Sequence, residues 1–96
     1  MFIVSLTYKC PLAEIDQHLD AHVAYLKEQY AQGHFIASGR KVPRTGGVIL
    51  ARAESREALG KILAQDPFAR ADLADYEIVE FTASMVGEGF EKLQEQ

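Results

Sequence analysis

Apolar and polar residues alternate at the start of the chain, and the alternation predicts a strand over residues 2–8. Phe2, Val4, Leu6 and Tyr8 would share one face of it, and Ile3, Ser5 and Thr7 the other. The period then changes. Leu12, Ile15, Leu19, Val23, Leu26 and Tyr30 recur at spacings of three and four, which makes an apolar stripe on a helix over 12–31. Cys10-Pro11 breaks the strand and opens the helix, and Gly33 supplies its stop. A second strand is expected over 34–42, a hairpin at Pro43-Arg44-Thr45-Gly46, and a third strand over 47–53 centred on Val48-Ile49-Leu50. Ser55 is a good N-cap, with Glu57 placed to suit the helix dipole, and Ala58, Leu59, Ile62 and Leu63 give a second helix its buried face. Asp66-Pro67-Phe68 ends that helix and starts a short extra turn. A last strand follows over 75–83, carrying Tyr76, Ile78, Val79 and Phe81, and then a tail over 84–96 read as a short helix.

The order βαββαβ defines an α+β, ferredoxin-like unit: a four-stranded antiparallel sheet with two helices on one face. The other face would alternate cleanly between apolar and polar residues if it were solvated. The first, third and fourth strands instead carry apolar residues on both sides (Phe2/Ile3/Val4, Val48/Ile49/Leu50, Ile78/Val79). A large bare apolar face is unusual in a soluble monomer, so something should cover it. The thirteen residues of the tail would cover little area. A sheet-to-sheet homodimer is the expected solution.

Length and charge narrow the picture further. The 96 residues fit one domain, read as spanning 1–96, whose core is thin enough that pairing would help it. A net charge of -4 argues against a nucleic-acid binder, which needs a dense cationic surface, and against docking on an anionic membrane. A single cysteine, Cys10, excludes an intrachain disulfide and is read as a small buried thiol. The apolar start lacks a basic leader and is soon interrupted by Lys9 and Pro11, and no apolar run approaches the roughly 20 residues of a membrane span. A cytoplasmic protein is expected.

Three places carry chemistry. His22 sits at the edge of the helical stripe, between Leu19 and Leu26, so it faces the sheet or its rim. It reads either as a general acid/base or as a half-buried histidine bonded to a backbone carbonyl. Asp66 reads either as a carboxylate that orients a histidine or as the N-cap of the turn opened by Pro67. By position alone, the structural roles are the commoner ones for both residues. The segment Ser38–Gly47 gathers Arg40, Lys41 and Arg44 with a hydroxyl and glycines in an otherwise acidic chain. Arg40 and Arg44 suit a carboxylate or phosphate, against the plainer reading of a solvated basic hairpin. The glycine spacing is not that of a phosphate loop. His18 lies one turn before His22 but no third ligand is marked, so no metal site is expected. His34 reads as a surface residue, and Tyr8 and Tyr25 as core or pocket lining.

Taken together, His22-Val23-Ala24-Tyr25-Leu26, Ala37-Ser38-Gly39, Gly46-Gly47 and Asp66-Pro67-Phe68, in this order and spacing, resemble the YCII-related family over roughly residues 1 to 85. The resemblance implies membership of the dimeric α/β-barrel group, in which two such sheets pack face to face. It implies that His22 and Asp66 form a catalytic dyad beside a pocket lined by Ser38, and Gly39 and Arg40, next along the strand, are expected with Ser38 to bind substrate. Many relatives have proline where this chain has Arg40, a change that favours an anionic ligand and weakens transfer of a substrate from relatives. The implied activity is cofactor-independent acid/base chemistry, of lyase or isomerase type, on a small anionic or hydroxylated aromatic or lactone substrate. The competing expectations are a non-catalytic module that binds or senses a small ligand, and an interaction domain without a pocket.

Overall fold

The computed structural model describes residues 1–95; Gln96, the last residue of the expected tail, lies outside the described residues. Four strands, β1 (Phe2–Tyr8), β2 (Phe35–Arg40), β3 (Gly46–Ala51) and β4 (Ala74–Glu80), form one sheet in the order β2-β3-β1-β4, with every pairing antiparallel. Helix α1 (Leu12–Ala31) joins β1 to β2, and α2 (Arg56–Leu63) with the single turn α3 (Pro67–Arg70) joins β3 to β4. This is the split βαβ arrangement the hydrophobic pattern predicts. β1 has the expected bounds, the ends of β2, β3 and β4 shift by one to three residues, and the described tail holds one turn of 3₁₀ helix at Glu91–Leu93.

The element ends follow from local chemistry. Gly33 takes φ +81°, and the Gly33 and His34 amides bond back to the Tyr30 and Gln29 carbonyls at 3.0 Å each, closing α1 in a Schellman motif. The Ser55 hydroxyl accepts from the Ala58 amide at 3.0 Å and caps α2. Gly46 admits no side chain, because a Cβ there would lie 1.7 Å from the Leu6 carbonyl oxygen of the adjoining strand.

The register sorts side chains into two faces. Phe2, Val4 and Leu6 of β1 face the helices with Ile49 and Ala51 of β3, and join Ile15, Leu59, Leu63 and Phe68 in the core. On the open face, a row of Ala37, Leu50, Ile3 and Val79 runs across all four strands. Ile3, Val48 and Val79 are 38%, 40% and 51% exposed there. The tail does not cover them. It is held at the end of the sheet, where the Glu95 carboxylate accepts from the Ala83 amide at 3.0 Å and from the Met1 amino group at 3.1 Å.

Helix α1 departs from the expected stripe. Leu12, Val23 and Tyr30 are partly exposed, at 41%, 38% and 38%, whereas Tyr25 and Gln29 are buried. Part of α1 borders an opening between the two layers: Val23 lines it, and Leu19 lines it while also packing against the core. Gln29 is buried because its Oε1 lies 2.7 Å from His34 Nδ1. His34 is therefore half-buried and bonded, not the surface residue expected. No helix among the described residues is long and apolar enough to cross a membrane.

Candidate active site

Asp66 sits where α2 hands over to α3. Its extended backbone (φ -61°, ψ 129°) and the proline that follows make it the N-cap of α3, and its Oδ1 accepts from the Phe68 amide at 3.0 Å. A cap is usually wet, but this one is fully buried. An unsatisfied buried carboxylate is costly, so its remaining lone pairs need donors. Two side chains supply them. His22 Nδ1 lies 2.7 Å from Oδ1, and the Tyr76 hydroxyl donates to Oδ2 at 2.6 Å. One carboxylate thus caps a turn and contacts a histidine.

His22 reaches Asp66 from the middle of α1. A carboxylate only accepts, so Nδ1 carries the proton and Nε2 is left with its lone pair in the neutral ring. The imidazole stacks on Phe68, with centroids 4.0 Å apart and planes within 7°, and Tyr8 meets the same phenyl ring edge-on at 5.9 Å. The ring is fixed by one hydrogen bond and one flat contact.

Tyr76 and Tyr25 flank the pair. Burial first, then the hydrogen bond to Asp66 and its charge, raise the Tyr76 phenol well above the usual tyrosine range, so it stays a donor. Burial and the Asp66 charge raise Tyr25 likewise, and its hydroxyl donates to the Ile62 carbonyl at 2.8 Å. Tyr25 is a core residue; Tyr8 lines the opening.

That opening is a cavity of about 530 Å³ between α1 and the sheet, a size ordinary for small-molecule sites. It exists because Gly47 presents no side chain opposite Leu6 and because α1 is lifted above β2 and β3. His22 opens on it from one side, Leu19, Val23 and Leu26 form its α1 wall, and Ser38, Gly39 and Arg40 its β2 wall. The Ser38 hydroxyl shares a 2.6 Å hydrogen bond with the Tyr30 hydroxyl. Arg44 does not act as a second free cation beside Arg40: its guanidinium is paired with Asp16 of α1 at 2.6 Å, which raises its pKa further.

The remaining sequence candidates stay apart from the cavity. His18 is half-buried, with Nδ1 3.1 Å from the Glu14 carbonyl one turn back, and does not join His22. Among the described residues no group of three or more potential metal ligands comes together. Desolvation, then the Glu14 carboxylate, pushes the half-buried Cys10 thiol up, so it stays protonated near neutral pH. Sequence reasoning missed Tyr76 and Asp16. Tyr76 read only as an apolar strand residue, although a tyrosine taken largely out of water usually finds a partner for its hydroxyl. Nothing in the spacing links Asp16 to Arg44.

The fold and cavity together define a ferredoxin-like α+β domain with a histidine–aspartate pair at the base of a small-molecule-sized opening. Residues 1–82 match the YCII-related domain, and the chain belongs to that family. Among solved structures it is similar to 5-chloro-2-hydroxyhydroquinone dehydrochlorinase (TftG) from Burkholderia phenoliruptrix AC1100, in complex with 2,5-dihydroxybenzoquinone. The TM-score is 0.71 at 21% identity, over 85% of this chain and 94% of that one, a likeness of fold. No curated protein sequence matches significantly.

Proposed function

We propose that this protein is a cofactor-independent acid/base enzyme of lyase or isomerase type, acting on a small hydroxylated aromatic or lactone substrate in the cavity beside His22. The observation that carries the reading is the His22–Asp66 contact at 2.7 Å, with the imidazole opening on that cavity. Asp66 fixes the tautomer and steadies the imidazolium once it forms. His22 Nε2 takes a proton from a carbon or hydroxyl of the substrate. It returns that proton to another carbon in an isomerisation, or keeps it while a leaving group departs in an elimination. The quinone bound by the dehydrochlorinase of similar fold supports a small oxygenated ring as the substrate class.

A non-catalytic binding module draws its support from the arginines near the cavity. Two observations weigh against it: Arg44 is engaged by Asp16, and His22 is not sealed off. The test is a screen of hydroxylated single-ring compounds and lactones with the wild type and His22→Ala. Turnover in the wild type that falls by at least about a hundredfold in a folded His22→Ala protein is expected, in line with loss of a general base. Equal turnover in both would remove His22 from the chemistry.

The functional unit in this reading is a homodimer packed through the open sheet face. The support is the row Ala37, Leu50, Ile3 and Val79, which the tail leaves uncovered.

A further inference from the structure

The charges around the cavity do not cancel. Arg44 and Asp16 neutralise one another across its mouth, where the β2–β3 hairpin meets α1. Arg40, at the end of β2, makes no ion pair among the described residues and also lines the cavity. The register places it opposite Gly47 on the helix-bearing face. Gly47 lines the cavity beside it and adds no side chain at that level of the sheet. The molecule as a whole carries a net charge of -4, so an arginine without an ion pair, at a cavity whose other arginine is paired with Asp16, is a local exception.

One planar guanidinium matches one carboxylate through two parallel hydrogen bonds. A phosphate would call for more donors than a single free arginine supplies, and the second arginine is occupied. The apolar wall made by Leu19, Val23 and Ile49 suits a ring, and the volume admits one with space to spare. We propose that Arg40 is the anion anchor of this cavity, and that its ligand is a single-ring carboxylic acid held with its carboxylate on Arg40 and its ring over Gly47, between the apolar wall and His22. The inference deepens the enzymatic reading, because it places the acid in the cavity that reading uses.

The test is ligand titration of isotope-labelled protein by NMR, with 2,5-dihydroxybenzoate against hydroquinone, which has the same ring without the carboxylate. The carboxylate is expected to bind about tenfold more tightly or better, the worth of one charge-assisted pair, and to shift amide signals on both β2 and α1. Arg40→Gln should erase that preference by weakening the carboxylate far more than hydroquinone, whereas Arg40→Lys should keep part of it. Equal affinity of the two ligands for the wild type would overturn the proposal. So would failure of the carboxylate to bind at millimolar concentration, or an equal loss for both ligands in Arg40→Gln. Failure of the enzymatic reading looks different. Arg40-dependent binding would persist, while no ring acid or lactone would be turned over by the wild type.

Discussion

Asp66 carries more structural obligations than any other side chain here. Its two oxygens serve the Phe68 amide, the His22 imidazole and the Tyr76 hydroxyl, and none is exchanged with water. Removing one donor should therefore be felt by the other two. Tyr76→Phe leaves Oδ2 unpartnered in the core and should cost about 1.5–3 kcal/mol in urea denaturation. If Tyr76 positions the dyad, the variant should also lose kcat with little change in KM, a split that mere destabilisation of the fold would not produce. The raised phenols of Tyr76 and Tyr25 have a further consequence. In the unfolded chain both titrate near pH 10, while in the folded protein they hold their protons. Above about pH 10 the unfolded state thus binds fewer protons, and stability falls as pH rises; below it the contribution is fully present. A urea midpoint that drops between about pH 9 and pH 11, and drops less in Tyr76→Phe, is the expected result.

At the scale of elements, two glycines do different work. Gly33 closes α1 in the left-handed region with open space around its Cα, so Gly33→Ala meets only a backbone cost of about 1 kcal/mol. Gly46 has an ordinary backbone but no room, since a Cβ would overlap the Leu6 carbonyl that β1 presents to β3. Gly46→Ala must push two central strands apart and should cost more than the ~1–3 kcal/mol of ordinary overpacking. Thermal denaturation of the two variants side by side checks the contrast; equal losses would refute the steric argument. The hairpin that Gly46 completes is what brings Arg44 to Asp16 and sets the mouth of the cavity.

For the whole molecule, the open question is its second sheet face. Along β1 and β4 the face runs from Ile3 and Val79, through Ser5 and Glu77, to Thr7 and Asp75, so it is apolar at one end only. A two-fold contact centred on the apolar row would bury that end and leave the acidic end wet. Light scattering at micromolar concentration should give a dimeric mass for the wild type and a monomeric one for Val79→Glu, which places a charge in the apolar row. Val79 is half exposed in the single chain, so the fold itself should survive the change. A monomeric wild type would end the argument for sheet packing.

The sequence by itself determined the elements and their order. Periods of two and of three to four mark β1 and α1, and Gly33, Ser55 and Asp66-Pro67 mark ends whose hydrogen bonds are local. Such signals lie within a few residues of one another, so they can be read along the chain. By position alone His22 and Asp66 each carry two meanings, and it is the resemblance to a family that pairs them as a dyad with Ser38 beside it. Residue positions alone do not say which groups meet; the tertiary structure does. His22 and Asp66 are 44 positions apart, Arg44 and Asp16 are 28 apart, and Tyr76 reaches Asp66 from a neighbouring strand. Those contacts depend on the register of the sheet and on how far α1 stands above it. Both are set by packing between distant segments, which no local pattern records.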